Sequence, residues 1–331
     1  MRGSERQVDV VESREVTSLF NSFYDEEPER EHIILTGPPS LLSQLKERTS
    51  YIVNGDALTA LKQLPEESVQ TCVTSPPYWG LRDYGVPGQI GTEMDITDYL
   101  NKLVEVFREV KRVLKPDGTF WLNIGDGYTS GGRTYRAPDK KTDNGHVVRG
   151  LPFRPPTPAG LKPKDLLGLP WRLAFLLQED GWYLRADIIW YKPNVLPESV
   201  KDRPTIAHEY LFLLSKNEKY YYDYQSILEP AASGRGKRNK RSVWTVNTEP
   251  YPEAHFATFP PALITPCVLA GSRPGDIVLD PFLGSGTTGL VALQNKRNFI
   301  GIELNPEYCA MAEKRLSPYA TIRKAEEETG A

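Results

Sequence analysis

The chain of 331 residues is expected to form an α/β fold with a doubly wound, mostly parallel seven-stranded sheet. Three observations predict this. Short β-branched or aromatic runs alternate with stretches of helical periodicity from residue 51 onward. One late run, "DIVLD", leads through a glycine-rich turn into a helical stretch, the local signature of a nucleotide-binding crossover. No apolar run approaches the roughly 20 residues that a membrane span needs.

Residues 1–48 come first and carry ten acidic against six basic side chains, so they read as a polar, partly disordered N-terminal extension. Strand candidates follow at 51–54, 69–74, 119–125, 183–191, 209–215, 276–280 and 298–303. Helical periodicity occupies 57–64, 97–114, 168–179, 260–271, 286–295 and 306–316. "KPDG" at 115–118 is a helix stop followed by a turn. No helix separates the fourth strand candidate from the fifth, so one of the two is expected to run antiparallel.

Composition narrows the function classes. The net charge is -3, which excludes a protein that is basic throughout, so an anionic partner must be met by local patches. Cys72, Cys267 and Cys309 are scattered, as are the four histidines, so neither a disulfide framework nor a metal site is expected. The cysteine usage and the charged opening residues, which lack a signal-peptide apolar core, predict a soluble cytoplasmic protein. Two Gly/Pro-rich stretches hold the positive charge. Residues 127–164 carry eight Lys/Arg against two Asp, and residues 231–242 carry five Lys/Arg and no acid. Long loops of this kind in a compact domain are usually functional or disordered.

The glycine-rich turn reads "DPFLGSGTTG". Gly284, Gly286 and Gly289 let the backbone approach a ligand and start the next helix tightly. Glu303 closes the following strand, where a carboxylate accepts bonds from ribose hydroxyls. Asp280 stands at the strand tip ahead of the glycines. An acid there repels a pyrophosphate and suits a sulfonium or ammonium ligand, which favours S-adenosylmethionine (AdoMet). Alternatively, Asp280 only braces the turn.

"VTSPPYWG" ends the strand candidate 69–74. Ser75, Pro76 and Pro77 present carbonyls and one hydroxyl with few competing donors, because proline lacks a backbone N–H. Paired prolines also hold the segment extended. The result is a rigid acceptor cluster suited to an exocyclic amino group, with Tyr78 as a stacking face.

Together, "VTSPPYWGLRDYG" and "LDPFLGSGTTG" resemble motifs IV and I of the DNA amino-methyltransferases, specifically the β-group, in which the catalytic motif comes first. The resemblance spans roughly residues 50–318. "YIVNGDALTALKQLPEESV", "HEYLFLLSK" and "AHFATFP" are similar to the family's motifs III, VIII and X. It implies a Rossmann-like class I methyltransferase fold with an inserted DNA-recognition region. The catalytic part then falls at 49–126 and 165–224, the basic recognition loops at 127–164 and 225–247, the AdoMet-binding part at 248–318 and a tail at 319–331.

The resemblance also implies a mechanism. A base extruded from double-stranded DNA stacks on Tyr78 and donates its amino hydrogens to Ser75 and to the Pro76 carbonyl. AdoMet is expected against Asp280, Phe282, Gly284, Ser285, Gly286 and Thr287, with Glu303 at the ribose and Asp56 at the adenine end. His255, Phe256 and Thr258 are expected to close the methionine side. Asp56 also has the sequence context of a helix N-cap. Ser75 favours cytosine N4 over adenine N6 as the acceptor. Phosphate contacts are expected from Arg133, Arg136, Lys140 and Lys141 in the first basic loop, and from Arg235, Lys237, Arg238, Lys240 and Arg241 in the second. The implied setting is a prokaryotic or phage-encoded monomer or homodimer, with a cognate restriction endonuclease as its genetic partner.

Three other readings compete. An NAD(P)-dependent oxidoreductase would use the same glycine loop but leave Ser75 to Tyr78 without a role. A methyltransferase acting on RNA or protein differs only in the acceptor. A non-catalytic DNA-binding subunit would keep the fold but has no need of Ser75, Tyr78 and Glu303.

Overall fold

The computed structural model describes residues 32–130, 155–231, 234–249 and 259–325. Their centre is a ten-stranded sheet. In chain order the strands are β1 (Ile33–Gly37), β2 (Thr49–Asn54), β3 (Val69–Thr74), β4 (Leu114–Ile124), β5 (Tyr183–Tyr191), β6 (His208–Ser215), β9 (Val243–Thr245), β10 (Ile277–Asp280), β11 (Asn298–Glu303) and β12 (Thr321–Lys324). Two short strands, β7 (Glu229–Pro230) and β8 (Lys237–Arg238), form a separate hairpin. The spatial order is β12-β1-β2-β11-β10-β3-β4-β6-β5-β9. All the expected strands are present. Only β6 runs antiparallel to its neighbours, β4 and β5, as the missing helix between β5 and β6 required.

Besides the β7–β8 hairpin, three strands of the main sheet lie where none was expected. β1 falls within the stretch read as a polar extension, β12 in the stretch read as a tail, and β9 within the second basic loop. All three are short and pair at the margins of the sheet, where half-buried residues give a weak periodic signal.

Helices cover both faces. α1 (Ala57–Leu61), α2 (Ile96–Val113) and α3 (Leu169–Glu179) share one apolar cluster with Tyr51, Phe120, Leu122 and Phe212. α4 (Pro261–Gly271), α5 (Thr287–Gln294) and α6 (Pro306–Leu316) share another with Ile52, Trp121, Leu211 and Leu213. Successive strand residues thus feed opposite faces, the period-2 rule of a pleated sheet buried on both sides. α2 shows why these segments are helical. Asp95 caps it by accepting from Thr97 N at 2.6 Å, and Ile96, Tyr99, Leu100, Leu103, Phe107 and Val110 bury a single stripe.

One relationship positions the site. β10 and β3 are parallel neighbours at the point where the strand order reverses. The carboxyl ends of strands at such a switch point open a crevice. The glycine loop leaves one of these strands and Ser-Pro-Pro-Tyr leaves the other.

Candidate active site

The tips of β3 and β10 are joined by side chains. Thr74 Oγ1 donates to Asp280 Oδ1 at 2.5 Å, and Thr288 Oγ1, from the first turn of α5, donates to Asp280 Oδ2 at 2.6 Å. The Phe282 amide adds a third bond at 3.0 Å. Asp280 is buried and does not line the crevice. Its carboxylate is engaged by the turn, the bracing role that the sequence had left open beside a cofactor contact. Burial pushes this carboxyl up to about 6, although the three donors pull it the other way.

Glu303 sits where a ribose-binding acid was expected. Its Oε2 accepts from Gly284 N at 2.8 Å and its Oε1 from Asn305 N at 2.8 Å. These bonds tie the glycine loop to the end of β11 and leave further lone pairs on each oxygen for a ligand. Burial pushes the Glu303 carboxyl up to about 7, against the pull of the two amides and with a smaller upward push from Asp280.

Gly284 adopts a left-handed φ of 54°, and the nearest atom to a Cβ placed there is 3.9 Å away, so the backbone faces open space. Gly286 is different. A Cβ there would lie 3.0 Å from Ala312 Cβ, and the residue does not line the crevice. This close packing lets α5 start against α6. Ser285 and Thr287 do line the crevice, and Arg315 Nη1 holds their hydroxyls at 3.1 Å and 2.9 Å.

The remaining walls bring the other expected residues together. Asp56, Ser75, Pro76, Pro77, Tyr78, Phe282, Gly284 and Glu303 all border one cleft. Asp56 is also the N-cap of α1, with Oδ1 accepting from Thr59 N at 2.8 Å. The Pro77 carbonyl is occupied by Tyr99 Oη at 2.9 Å, which fixes the proline segment from α2. Arg82, Tyr84 and Tyr308 join the lining, with the Tyr84 and Tyr308 rings packed edge to face, 6.1 Å between centroids. Tyr308 was missed, although "NPEY", beginning two residues after Glu303, carries the sign of a helix start at the crevice: Asn305 caps α6. His255, Phe256 and Thr258 lie outside the described residues; Phe259, next along the chain, borders the cleft.

A second cleft adjoins the first. It is lined by Tyr78, Leu81, Gly125, Asp126, Tyr128 and Ser130 among others, so Tyr78 and Leu81 stand on the border between the two. Asp126 accepts from the amides of Gly127, Gly168 and Leu169 and thereby caps α3.

Of the expected DNA-binding residues, Arg133, Arg136, Lys140 and Lys141 lie outside the described residues. The second basic stretch is more ordered than a plain loop: it forms the β7–β8 hairpin and the edge strand β9. Arg235, Lys237 and Arg241 are exposed. Arg238 Nε and Arg241 Nε both donate to Glu229 Oε1 at 3.0 Å, and Lys240 Nζ lies 4.9 Å from the centre of the Trp244 ring. Among the described residues no group of His, Cys, Asp and Glu is arranged to hold a metal ion, and no helix is long and apolar enough to cross a membrane.

A glycine loop braced by a buried acid, a ribose-type carboxylate and a donor-poor acceptor loop on neighbouring strands define a class I AdoMet-dependent methyltransferase. Residues 69–314 match the N6/N4 family described as DNA methylase, and the chain belongs to that family. It is similar to the type II methyltransferases M.XycI of Xanthomonas campestris pv. cyanopsidis, 60% identical over 85% of this chain and 94% of the relative, and M.Cfr9I of Citrobacter freundii, 63% identical over 80% and 87%. M.SmaI of Serratia marcescens is 61% identical over 81% of this chain and 91% of its own length. Among solved structures, the cytosine-N4-specific PvuII DNA methyltransferase has the same fold, with a TM-score of 0.60 at 23% identity over 84% of this chain and 87% of that one. A Thermus thermophilus protein solved with S-adenosyl-L-methionine superposes with a TM-score of 0.55 at 25% identity, covering 89% of this chain and 100% of that one.

Proposed function

We propose that this DNA methyltransferase transfers the methyl group to the N4 amino group of a cytosine extruded from duplex DNA. The observation that carries the choice of base is Ser75 at the tip of β3, beside Tyr78 in the cleft. A serine hydroxyl and the Pro76 carbonyl form a neutral acceptor pair. With the Pro77 carbonyl taken by Tyr99, these two are the acceptors that the loop offers an amino group.

The residues present fit AdoMet. When bound, it supplies an electrophilic methyl group on a sulfonium. Gly284 admits the ligand to the backbone, Glu303 accepts from the ribose hydroxyls, Asp56 faces the adenine end and Phe282 packs beside it. His255, Phe256 and Thr258 are proposed for the methionine side. Asp280 acts one step removed, holding the glycine loop against β3.

On the acceptor side, Tyr78 offers its ring to the base, and the second cleft gives the base a place outside the duplex. Bonds from the amino group to Ser75 and Pro76 draw electron density onto the nitrogen and orient its lone pair. No covalent enzyme intermediate is required. The basic residues of 127–164 and of 234–241 are proposed to meet DNA phosphates, which set affinity and register without selecting sequence.

The test is to methylate mixed-sequence duplex DNA with the purified protein, digest it to nucleosides and identify the product by mass spectrometry. N4-methylcytosine is expected. N6-methyladenine overturns the choice of base, and the absence of any methylated nucleoside overturns the reaction.

A further inference from the structure

Behind Tyr78 lies a group of polar side chains that neither active-site motif contains. Tyr78 Oη donates to Glu209 Oε2 at 2.9 Å. Asn123, from β4, donates to the same oxygen at 3.2 Å and to the Tyr210 carbonyl at 3.1 Å. Lys192 donates to Glu209 Oε1, and its ammonium lies 4.0 Å from the centre of the Trp190 ring. The pair is well screened from solvent, with side-chain exposures of 12% for Lys192 and 17% for Glu209.

The backbone holds this arrangement. Glu209 is on β6, and Lys192 follows β5, its amide bonded to the Ala207 carbonyl at 2.8 Å. The antiparallel register therefore sets the acid against the cation. Gly125 completes the fit: a Cβ there would lie 2.9 Å from Tyr78 Cε2 and 3.3 Å from the Glu209 side chain. Only glycine lets the ring come this close to the end of β4.

We propose that Glu209, held by Lys192 and Asn123, is a positioning residue that fixes the Tyr78 ring as the wall between the two clefts and makes that ring electron-rich where the base stacks. This rests on the amino-methylation reading of the same site.

The phenol O–H points at a carboxylate, so negative charge is drawn into the ring. Burial and the Glu209 charge together push the Tyr78 phenol well up, against the pull of a hydrogen bond with Ser75, so the proton stays on Tyr78. In methylation the amino nitrogen's lone pair forms the new N–C bond. The S–C bond breaks with its electron pair left on sulfur, and positive charge passes to the base until the amino proton leaves to water. An electron-rich ring face attracts a cation more than a neutral ring does. Glu209 is therefore worth more in the transition state than in the ground state, and its loss falls on kcat rather than KM.

The experiment pairs a double-mutant cycle with structures of the ligand-free variants. Glu209→Gln keeps the shape and removes the charge, and Tyr78→Phe keeps the ring and removes the link together with the phenol's bond to Ser75. Each is expected to lower kcat by about tenfold with KM for DNA and for AdoMet within about twofold. The double variant is expected to be no worse than the weaker single one, because the two act as a unit. Losses that multiply, or a wild-type kcat in Glu209→Gln, overturn the proposal. In crystals of Glu209→Ala the Tyr78 ring is expected to leave its position against Gly125. A ring that stays there overturns the positioning role even if the wild-type protein methylates no DNA, an outcome that by itself counts against the reaction and not against this arrangement. Should Glu209→Gln fail to fold, the Lys192→Met/Glu209→Gln pair removes both charges and enters the cycle in its place.

Discussion

Thr74 Oγ1 reaches Asp280 Oδ1 at 2.5 Å across 206 positions of sequence, and that bond fastens the acceptor loop to the glycine loop. Each loop has its own rigid backbone, but nothing within either one fixes the distance between them. The buried carboxylate does so by taking a donor from each side.

Thr74→Val removes one donor from this carboxylate and leaves a buried oxygen without it. A loss of about 1–3 kcal/mol in urea unfolding is expected, with weaker AdoMet binding by calorimetry. Unchanged stability in Thr74→Val would show that the bond does not brace the loops.

The two raised carboxyls set a pH dependence. Asp280 and Glu303 reach about 6 and about 7 in the folded protein, above the ~4 of an unfolded chain. The folded state thus holds protons that the unfolded chain has already lost. Their stabilising contribution is whole below about pH 4 and is lost as the pH rises through about 6 and then 7. Glu303→Gln, which cannot ionise, is expected to gain melting temperature relative to wild type on going from pH 5 to pH 8.

The same group predicts proton release on cofactor binding. If, as proposed, ribose hydroxyls donate to the ionised Glu303 carboxylate, AdoMet should bind more tightly at pH 8 than at pH 6, releasing protons that calorimetry in two buffers would detect. In Glu303→Gln the affinity is expected to fall about tenfold and the pH dependence to flatten. Equal proton release in the variant and the wild type would point to another group.

Ser75→Ala and Tyr78→Ala remove the proposed neutral acceptor and the proposed stacking face. Turnover is expected to fall by about 10²-fold or more in each, with AdoMet binding retained. Wild-type turnover in both would displace the acceptor site from this loop.

Gly286→Ala places a Cβ 3.0 Å from Ala312 at a φ of 84°. A cost of roughly 2–4 kcal/mol is expected from the left-handed backbone and the overpacking together. Urea unfolding measures it directly.

Lys237→Ala and Lys240→Ala test the second basic stretch. If each cation meets one phosphate, each substitution should reduce the slope of log K against log salt by about 0.9. An unchanged slope would return these residues to the solvent.

What could be read from the sequence followed local chemistry. Ser75 to Tyr78 and Gly284 to Glu303 were legible because strand-loop-helix patterns put side chains at known ends of known strands. Asp280 was legible in position and as a candidate brace of the turn, but its bond to Thr74 was not, because Thr74 reaches it only through the sheet order. Glu209 and Lys192 were hidden for the same reason, since their meeting depends on the register of β5 against β6. β1 and β12 escaped notice because short marginal strands set among charged residues carry little alternation.

The sheet order also decides when the fold can close. β2 and β3 leave the ribosome early, yet they are not neighbours: β10 and β11 lie between them. The late segment that carries β10 and β11 therefore becomes the middle of the sheet. Until it arrives, β2 and β3 keep edges that pairing will later cover, and the acceptor loop has no partner strand to hold it. Long-range parallel pairing of this kind is slow. The crevice forms only once β10 and β11 have been made, and a chain broken off before β10 lacks the strands at the centre of its sheet.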